Sequence, residues 1–226
     1  MTKVWLTRTS PAVLDSADVW RAAGFTPLVE PLLTIETVPH TPPSDKAVLI
    51  FTSKNGVDHV SCQGQRAICV GDATAEKARD TGYRDVVSVD GTSANVTEWV
   101  VENLPKTQPI CHVSGQHVRG SITEDLSSAG YTAQRVIVYR SDPKPIWPKT
   151  SVSLVALYSP LAATCFAEQA KNKDVSALTA ICISQTTADE LSCLTMKSVI
   201  VAKHPREDEL IMAATIAFSQ ALDVKG

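Results

Sequence analysis

A two-domain α/β protein built on doubly wound parallel sheets is the fold class this sequence predicts, and three observations carry that expectation. First, the chain repeats itself. Ala67-Ile-Cys-Val-Gly-Asp-Ala-Thr-Ala-Glu76 returns 113 positions later as Ala180-Ile-Cys-Ile-Ser-Gln-Thr-Thr-Ala-Asp189. Ile50-Phe-Thr-Ser53 returns as Ala156-Leu-Tyr-Ser159, and Ala23-Gly-Phe25 as Ala129-Gly-Tyr131, each 106 positions on. Solenoid periods are about 20–50 residues, so this spacing marks a duplicated α/β unit. Second, short, nearly continuous apolar runs alternate with helical patterns, as expected of strands covered on both faces of a parallel sheet. Third, 226 residues with 44% hydrophobic and 20% charged side chains make an ordinary globular chain, large enough for two small domains.

Taken in order, Val4-Trp-Leu6 is a strand leading into Ser10-Pro11, a helix start with Ser as N-cap and Pro at the first position. Val13, Leu14, Ala17 and Trp20 fall on one helical face, and Gly24 closes the helix. Val29-Glu-Pro-Leu32, Val48-Leu-Ile-Phe51, Ala67-Ile-Cys-Val70, Val86-Val-Ser-Val89, Ile110-Cys-His-Val113 and Val136-Ile-Val138 follow as strands. In the second half Leu154-Val-Ala-Leu157, Ala180-Ile-Cys-Ile183 and Val199-Ile-Val201 do the same. Leu210, Ile211, Ala214, Phe218 and Leu222 then keep helical spacing after His204-Pro205. Ten strands suit two five-stranded sheets.

Two stretches resemble inter-domain connectors: Thr34 to Pro43, rich in Thr and Pro, and Arg140 to Lys149, with Pro143, Pro145 and Pro148. They occupy matching places in the repeat. Two divisions fit: a tandem cut near residue 107, or an interleaved arrangement in which the N-terminal segment joins the C-terminal 80 or so residues. Both connectors crossing side by side favours the second.

The net charge of −3 supplies no basic field, which argues against nucleic acid or an anionic membrane as partner. No apolar run approaches membrane-spanning length, and the chain enters a strand within a few residues of its start. A cytoplasmic protein without signal peptide or anchor is expected. The six cysteines (Cys62, Cys69, Cys111, Cys165, Cys182 and Cys193) show no C-x-x-C and no Cys/His ligand spacing. They read as small hydrophobes, and no metal site is expected.

In an open parallel sheet, ligands lie beyond the carboxyl ends of the strands, where helix starts present free N–H groups. Those loops hold Thr7, Arg8 and Ser10; Thr52, Ser53, Lys54 and Asn55; Gly71, Asp72 and Thr74; and Ser114, Gly115, Gln116, His117 and Arg119. In the second copy they hold Tyr158, Ser159 and Pro160, then Ser184, Gln185, Thr186 and Thr187. Each hydroxyl has helix capping as its ordinary role; their recurrence at helix starts in both copies points to a ligand as well. G-x-G-x-x-G, G-x-x-x-x-G-K-S/T and G-x-S-x-G are all missing, which removes support for dinucleotide, P-loop and α/β-hydrolase chemistry. Gly115 and Gly120 bracket Gln-His-Val-Arg without matching any of these, and Gly120 reads as a tolerated helix residue.

With these segments in place the chain resembles the uroporphyrinogen-III synthase family. Val4-Trp-Leu-Thr-Arg8, Gly24 and Pro31-Leu32 are similar to its opening strand–Thr-Arg–helix–Gly–strand–Pro-Leu pattern. Ile50-Phe-Thr-Ser-Lys-Asn-Gly-Val57 resembles its F-T-S-x-N-(A/G)-V segment, and Val70-Gly-Asp-Ala-Thr-Ala75 its V-G-x-x-T-A motif. Gly115, Arg119 and Val138-Tyr139-Arg140 resemble its Gly…Arg…Val-Tyr-Arg stretch. Tyr158-Ser159-Pro160 and Thr186-Thr187-Ala188 resemble two turns of its second half. Ser184-Gln185 departs from the usual Gly-Pro, and Ile122 from the common Leu.

The resemblance implies two flavodoxin-like domains interleaved in sequence: 1–35 with 147–226, and 42–135, joined by linker strands at 36–41 and 136–146. It implies cyclisation of linear hydroxymethylbilane to uroporphyrinogen III in a cleft, with inversion of the last pyrrole ring, loss of water and no cofactor. It also implies that Tyr139 assists departure of the substrate hydroxyl. Thr7, Arg8, Ser53, Thr74, Gly115, Arg119, Ser159, Thr186 and Thr187 become candidates to hold a substrate with eight carboxylates, which helix N-termini can bind without many cations. A monomer is expected, with transient contact to the preceding pathway enzyme as the one protein partnership it raises. Two other classes suit the same sheets. One is a non-enzymatic anion sensor; the other is a transferase using a nucleotide-linked donor, against which the missing glycine-rich loop counts.

Overall fold

The computed structural model describes residues 1–118 and 120–223, with side chains to 218. In chain order its elements are β1 (Lys3–Leu6), α1 (Ala12–Ala22), β2 (Thr26–Val29), β3 (Leu33–Thr37), β4 (Val48–Phe51), α2 (Lys54–Asp58), β5 (Arg66–Cys69) and α3 (Asp72–Thr81). There follow β6 (Arg84–Ser88), α4 (Ser93–Asn103), β7 (Ile110–Gly115), α5 (Ile122–Ser128), β8 (Ala133–Pro143), β9 (Leu154–Leu157), α6 (Pro160–Ala170), β10 (Thr179–Cys182), α7 (Gln185–Asp189), β11 (Ser198–Val201) and α8 (Glu207–Asp223). The chain divides into two units, Met1–Thr34 with Asp142–Gly226, and Ile35–Ser141.

The first unit holds the sheet β11-β10-β9-β1-β2, every pair parallel. Numbered from its own first strand, its order is 2-1-3-4-5, that of flavodoxin-like sheets. The second sheet runs β3-β8-β7-β4-β5-β6, with β4 to β8 mutually parallel. Its β8-β7-β4-β5-β6 core repeats the neighbours of the first sheet, but the chain enters at β4, so the two units are circular permutants of one plan. The sequence repeats follow the same mapping: residues 50–53 and 156–159 end β4 and β9, and residues 67–69 and 180–182 lie in β5 and β10.

Each sheet is covered on both faces. In the first unit Trp5, Val155, Leu157, Ala180 and Cys182 pack on α6 and α7, while Val4, Leu6, Leu154, Ala156 and Ile181 pack on α1 and α8. In the second, Leu49, Phe51, Cys111 and Val113 meet α2 and α3, and Val48, Ile50 and Ile110 meet α4 and α5. This alternation along fully buried strands explains their unbroken apolar runs. Each large side chain so buried contributes about 1.5–3 kcal/mol. Burial pushes the thiols of Cys69 and Cys182 up to about 12 and that of Cys111 up to about 11, so these cysteines stay protonated as packing residues.

Several local expectations change. The strand expected at Val29–Leu32 is instead the last residue of β2 followed by a break before β3: Pro31 has no N–H for a ladder, and the chain turns there with Leu32 fully buried. β3 is therefore an eleventh strand, and the sheets hold five and six strands rather than five each. It pairs with β8. Lys144 N–H donates to Leu32 O (2.8 Å), Thr34 Oγ1 to Asp142 O (3.5 Å) and Val38 N–H to Val138 O (2.9 Å). Rising positions on one segment meet falling positions on the other, so the pair is antiparallel. Ser10 is not an N-cap: α1 starts at Ala12 and no side chain caps it. Gly120 is no helix residue either; its φ of +84° places it in the left-handed region just ahead of α5, where glycine is favoured. The side chain of Leu222 lies outside the described residues.

Candidate active site

In a 2-1-3-4-5 sheet, crossovers leave in opposite directions from two adjacent strands, and the loops after those strands diverge to open a crevice. In the second unit these strands are β4 and β7. β4 ends in Phe51, and the backbone stays extended through Ser53 (φ −156°, ψ 147°), whose Oγ accepts from Asn55 N–H (3.2 Å) to start α2. β6 is followed by Asp90 and Gly91, and then by Thr92, whose N–H and Oγ1–H both reach Asn95 Oδ1 (2.9 Å each) at the start of α4. β7 leads to Gln116, His117 and Val118. A cavity of about 390 Å³ opens between these turns, lined by Thr52, Ser53, Val70, Thr92, Ser93, His117, Val118 and Tyr139.

Tyr139 lies inside β8, which runs past the apolar Val136-Ile-Val138 to Pro143. The β7–β8 register slips between Ser114 and Gly115, so that Gly115 faces Tyr139, and Gln116 N–H donates to Tyr139 O (2.8 Å). The phenol lies directly over Gly115. A Cβ there would stand 2.6 Å from the ring carbons Cε2 and Cζ and 2.9 Å from Oη, so only glycine leaves room for this ring. Arg135 fixes the same strand end, with Nε donating to Ser114 Oγ (2.8 Å) and Nη2 to the carbonyls of Gly115 (2.6 Å) and Gln116 (2.8 Å). Thr74 sits in the first turn of α3 and is buried, its N–H bonded to Gly71 O (3.1 Å).

The first unit presents the same turns differently. Thr7, 1% exposed, donates its hydroxyl to Ala156 O (2.7 Å), tying β1 to β9. Arg8 Nη1 donates to Glu207 Oε2 (2.9 Å) and to Ser16 Oγ (3.2 Å), and its guanidinium lies 5.3 Å from the Tyr158 ring centroid. Tyr158 Oη donates to Glu207 Oε1 (2.8 Å) and accepts from Trp20 Nε1 (3.0 Å). Burial first, and the adjacent Glu207 carboxylate second, push the Tyr158 hydroxyl far above the usual phenol range. Ser159 Oγ accepts from Ala162 N–H (3.2 Å) as the N-cap of α6. Ser184 Oγ lies 3.0 Å from the hydroxyls of both Thr186 and Thr187, so the serine standing in place of glycine knits this turn together. Thr186 is exposed and Thr187 fully buried.

Of the expected ligands, the structure therefore brings Ser53 and Tyr139 to one cavity, with Gly115 beneath the ring. Thr7, Arg8, Ser159, Thr186 and Thr187 gather at the equivalent turns of the first unit, and Arg119 lies outside the described residues. Thr92, Ser93 and Arg135 had not been singled out; the Asp90-Gly-Thr-Ser93 turn after an apolar strand was the available signal for the first two. Among the described residues no group of three or more His, Cys, Asp and Glu side chains could hold a metal ion, and no helix is long and apolar enough to cross a membrane.

Fold and crevice together define a duplicated, doubly wound α/β protein with a cavity among helix starts at the switch point of its second sheet. The family model for uroporphyrinogen-III synthase HemD matches residues 15–212, and the chain belongs to that family. No curated protein sequence matches it. Among solved structures, the uroporphyrinogen-III synthetase of Helicobacter pylori is 19% identical, with a TM-score of 0.67 over 96% of this chain and all of the other. A mutant uroporphyrinogen-III synthase of Thermus thermophilus is 16% identical, with a TM-score of 0.54 over 97% of this chain and all of the other. At these identities the likeness concerns the fold. Family membership makes this chain a cyclising enzyme of haem biosynthesis whose substrate is hydroxymethylbilane.

Proposed function

We propose that the second-unit cavity receives the reacting end of the bilane, and that Tyr139 assists loss of its hydroxyl. The observation that carries this reading is the phenol of Tyr139 lining a crevice at the strand-order switch point, beside the hydroxyls of Thr52, Ser53, Thr92 and Ser93. The phenol passes its proton to the departing oxygen as the C–O bond breaks, so that water leaves, and the ring proton lost in the last step restores it. The pyrrole nitrogen supplies the electron pair and carries the resulting azafulvene cation. Attack at the substituted carbon of the last ring gives the spiro intermediate, and its rearrangement with loss of one ring proton gives the inverted, type III macrocycle. Hydroxyls and helix-start N–H groups suit a polycarboxylate that must be held folded, since the free bilane closes without inversion. In the first unit Ser159 and Thr186 offer the same combination, while Thr7, Arg8 and Thr187 maintain the shape of the turns. A monomeric, cytoplasmic enzyme that works without a cofactor completes this reading.

The test is incubation with freshly made hydroxymethylbilane followed by isomer analysis. Wild type is expected to give type III product, and Tyr139→Phe to lower kcat with little change in KM or unfolding midpoint. Full use of a general acid contributes about 10²–10⁴-fold. A fall of about 10- to 100-fold is expected here, because an electron-rich pyrrole ionises readily and water can replace the phenol. Full turnover by Tyr139→Phe would refute the role.

A further inference from the structure

A phenol can assist a leaving group only where its oxygen is held at a fixed place, and Tyr139 stands on a strand with no cap or turn of its own to hold it. Two neighbours from other parts of the unit meet its ring. Gly115 in β7 lies beneath Cε2, Cζ and Oη, at a distance no side chain there would permit. The His59 imidazole lies with its centroid 5.8 Å from that of Tyr139, tilted by 32°. His59 is the residue that closes α2, the helix opened by the cavity residue Ser53. Its position is fixed from two sides. Nδ1 lies 2.9 Å from Thr37 Oγ1 at the end of β3, and the preceding Asp58 pairs with Lys77 of α3 (2.7 Å). Strand β3 neighbours β8, the strand of Tyr139, so His59 reaches from the helix layer to the edge of the sheet and touches both strands.

We propose that His59 is a positioning residue for Tyr139: held by the Thr37 hydroxyl, its ring acts with Gly115 to set where the phenol oxygen stands in the cavity. The inference rests on the reading of Tyr139 as the group that assists hydroxyl departure. It separates two kinds of neighbour in the same crevice. Ser53 and Thr92 can meet substrate directly, whereas His59, Thr37 and Gly115 act through the tyrosine.

The experiment combines single and paired substitutions in the full chain with a spectroscopic reading of the ring. His59→Ala removes the imidazole. Gly115→Ala places a methyl where the phenol lies, at a backbone conformation open to alanine, and so displaces the ring. Each is expected to lower kcat about 3- to 10-fold with KM nearly unchanged, as a small misplacement of a reacting group does, and Gly115→Ala should also lower the unfolding midpoint because its methyl overlaps the ring. In a Tyr139→Phe background, where the hydroxyl is already gone, neither should lower kcat further. His59→Phe keeps an aromatic face but loses the bond to Thr37, and should lose less kcat than His59→Ala while staying below wild type. The chain has four tyrosines, so in protein carrying ¹³C-labelled tyrosine the Tyr139 resonance is identified by its loss in Tyr139→Phe, and His59→Ala should shift it. An unmoved resonance, a full additional loss of kcat in the Tyr139→Phe background, or a His59→Phe no better than His59→Ala would each overturn the proposal. Should Tyr139→Phe itself keep full turnover, the catalytic reading falls, and the resonance shift alone decides whether His59 seats the ring.

Discussion

The two units share one strand order and the same kind of helix starts, yet their polar loop groups face different surroundings. In the first unit those groups find partners within the protein. Thr7 is bonded to Ala156, Arg8 to Glu207, Tyr158 to both Glu207 and Trp20, and Ser184 to two threonines. In the second unit Thr52, Ser53, Thr92, Ser93, His117 and Tyr139 surround an open cavity. Where first-unit Tyr158 reaches into an internal network, its counterpart in the repeat, Thr52, is too short to do so and lines the crevice instead. A duplicated scaffold can thus keep the same helix-start chemistry in both copies, with the groups of one copy tied into internal networks and those of the other lining a cavity.

The difference extends into the sheets. Position 112 in the second unit corresponds to position 6 in the first, where Leu6 is fully buried; His112 is 3% exposed and its Nε2 has no hydrogen-bond partner. Burial, and then the Arg135 guanidinium on the next strand, pull the His112 imidazole down from 6.5 to about 4, against a weaker opposing pull from Glu124. The folded protein therefore holds this ring neutral, while the unfolded chain protonates it as pH falls below 6.5. Stability present above that value is lost progressively as pH falls towards about 4, at which the folded form also takes up the proton. The loss amounts to about 3 kcal/mol over that window. It is the largest effect expected, and it belongs to the second unit alone. Chemical denaturation of wild type and His112→Leu across this pH range isolates it: the leucine variant should lack this part of the slope. Parallel curves would remove the distinction between the two sheets.

A smaller effect should appear in the first unit. Tyr158→Phe removes one oxygen and leaves the Trp20 Nε1–H and one Glu207 oxygen without their partner. Loss of such a partly buried hydrogen-bonded group destabilises by about 1–3 kcal/mol. The expected result is a lowered unfolding midpoint, with kcat and KM per folded molecule unchanged. A fall in kcat like that expected of Tyr139→Phe, at constant stability, would show that the first unit supplies the reacting group and would reverse the contrast.

Much of this arrangement was readable in the sequence, and what was missed shares a physical cause. Strands buried on both faces announce themselves, because β4, β7, β9 and β10 need apolar residues at nearly every position. β3 reads Leu-Thr-Ile-Glu-Thr and is half exposed, so its pattern alone does not mark a strand, and the linker strand expected at 36–41 came from the family resemblance. Helix-start hydroxyls were legible because the repeat displays them twice. Their partners were not. Arg8 meets Glu207 at a separation of 199 residues, and Thr7 meets Ala156 at 149, choices made by strand pairing and invisible to local pattern. Arg135 and His59 were missed for the same reason: a charged residue within a strand and a polar residue ending a five-residue helix look like solvated surface until the fold places Ser114, Gly115 and Tyr139 against them.

The sharpest comparison between the units uses their most similar residues. Ser53 and Ser159 are counterparts in the repeat, both extended (φ −156° and −162°), and both cap a helix by accepting a first-turn N–H at 3.2 Å. As caps they are equivalent, and replacing either by alanine should destabilise by about 1 kcal/mol. They differ in where they lie, because Ser53 lines the cavity beside Tyr139, and the proposed reading makes it a ligand group. Ser53→Ala should therefore raise KM for hydroxymethylbilane about 3- to 10-fold, the loss of one hydrogen bond to a charged group after partial replacement by water. Ser159→Ala should move KM by about twofold at most, since Ser159 does not line that cavity. Equal stability losses with unequal KM values are the pattern the comparison requires. If KM rises equally in both variants, the two copies share the carboxylates of the substrate evenly, and the first unit's internal networks must be read as holding a second ligand surface in shape.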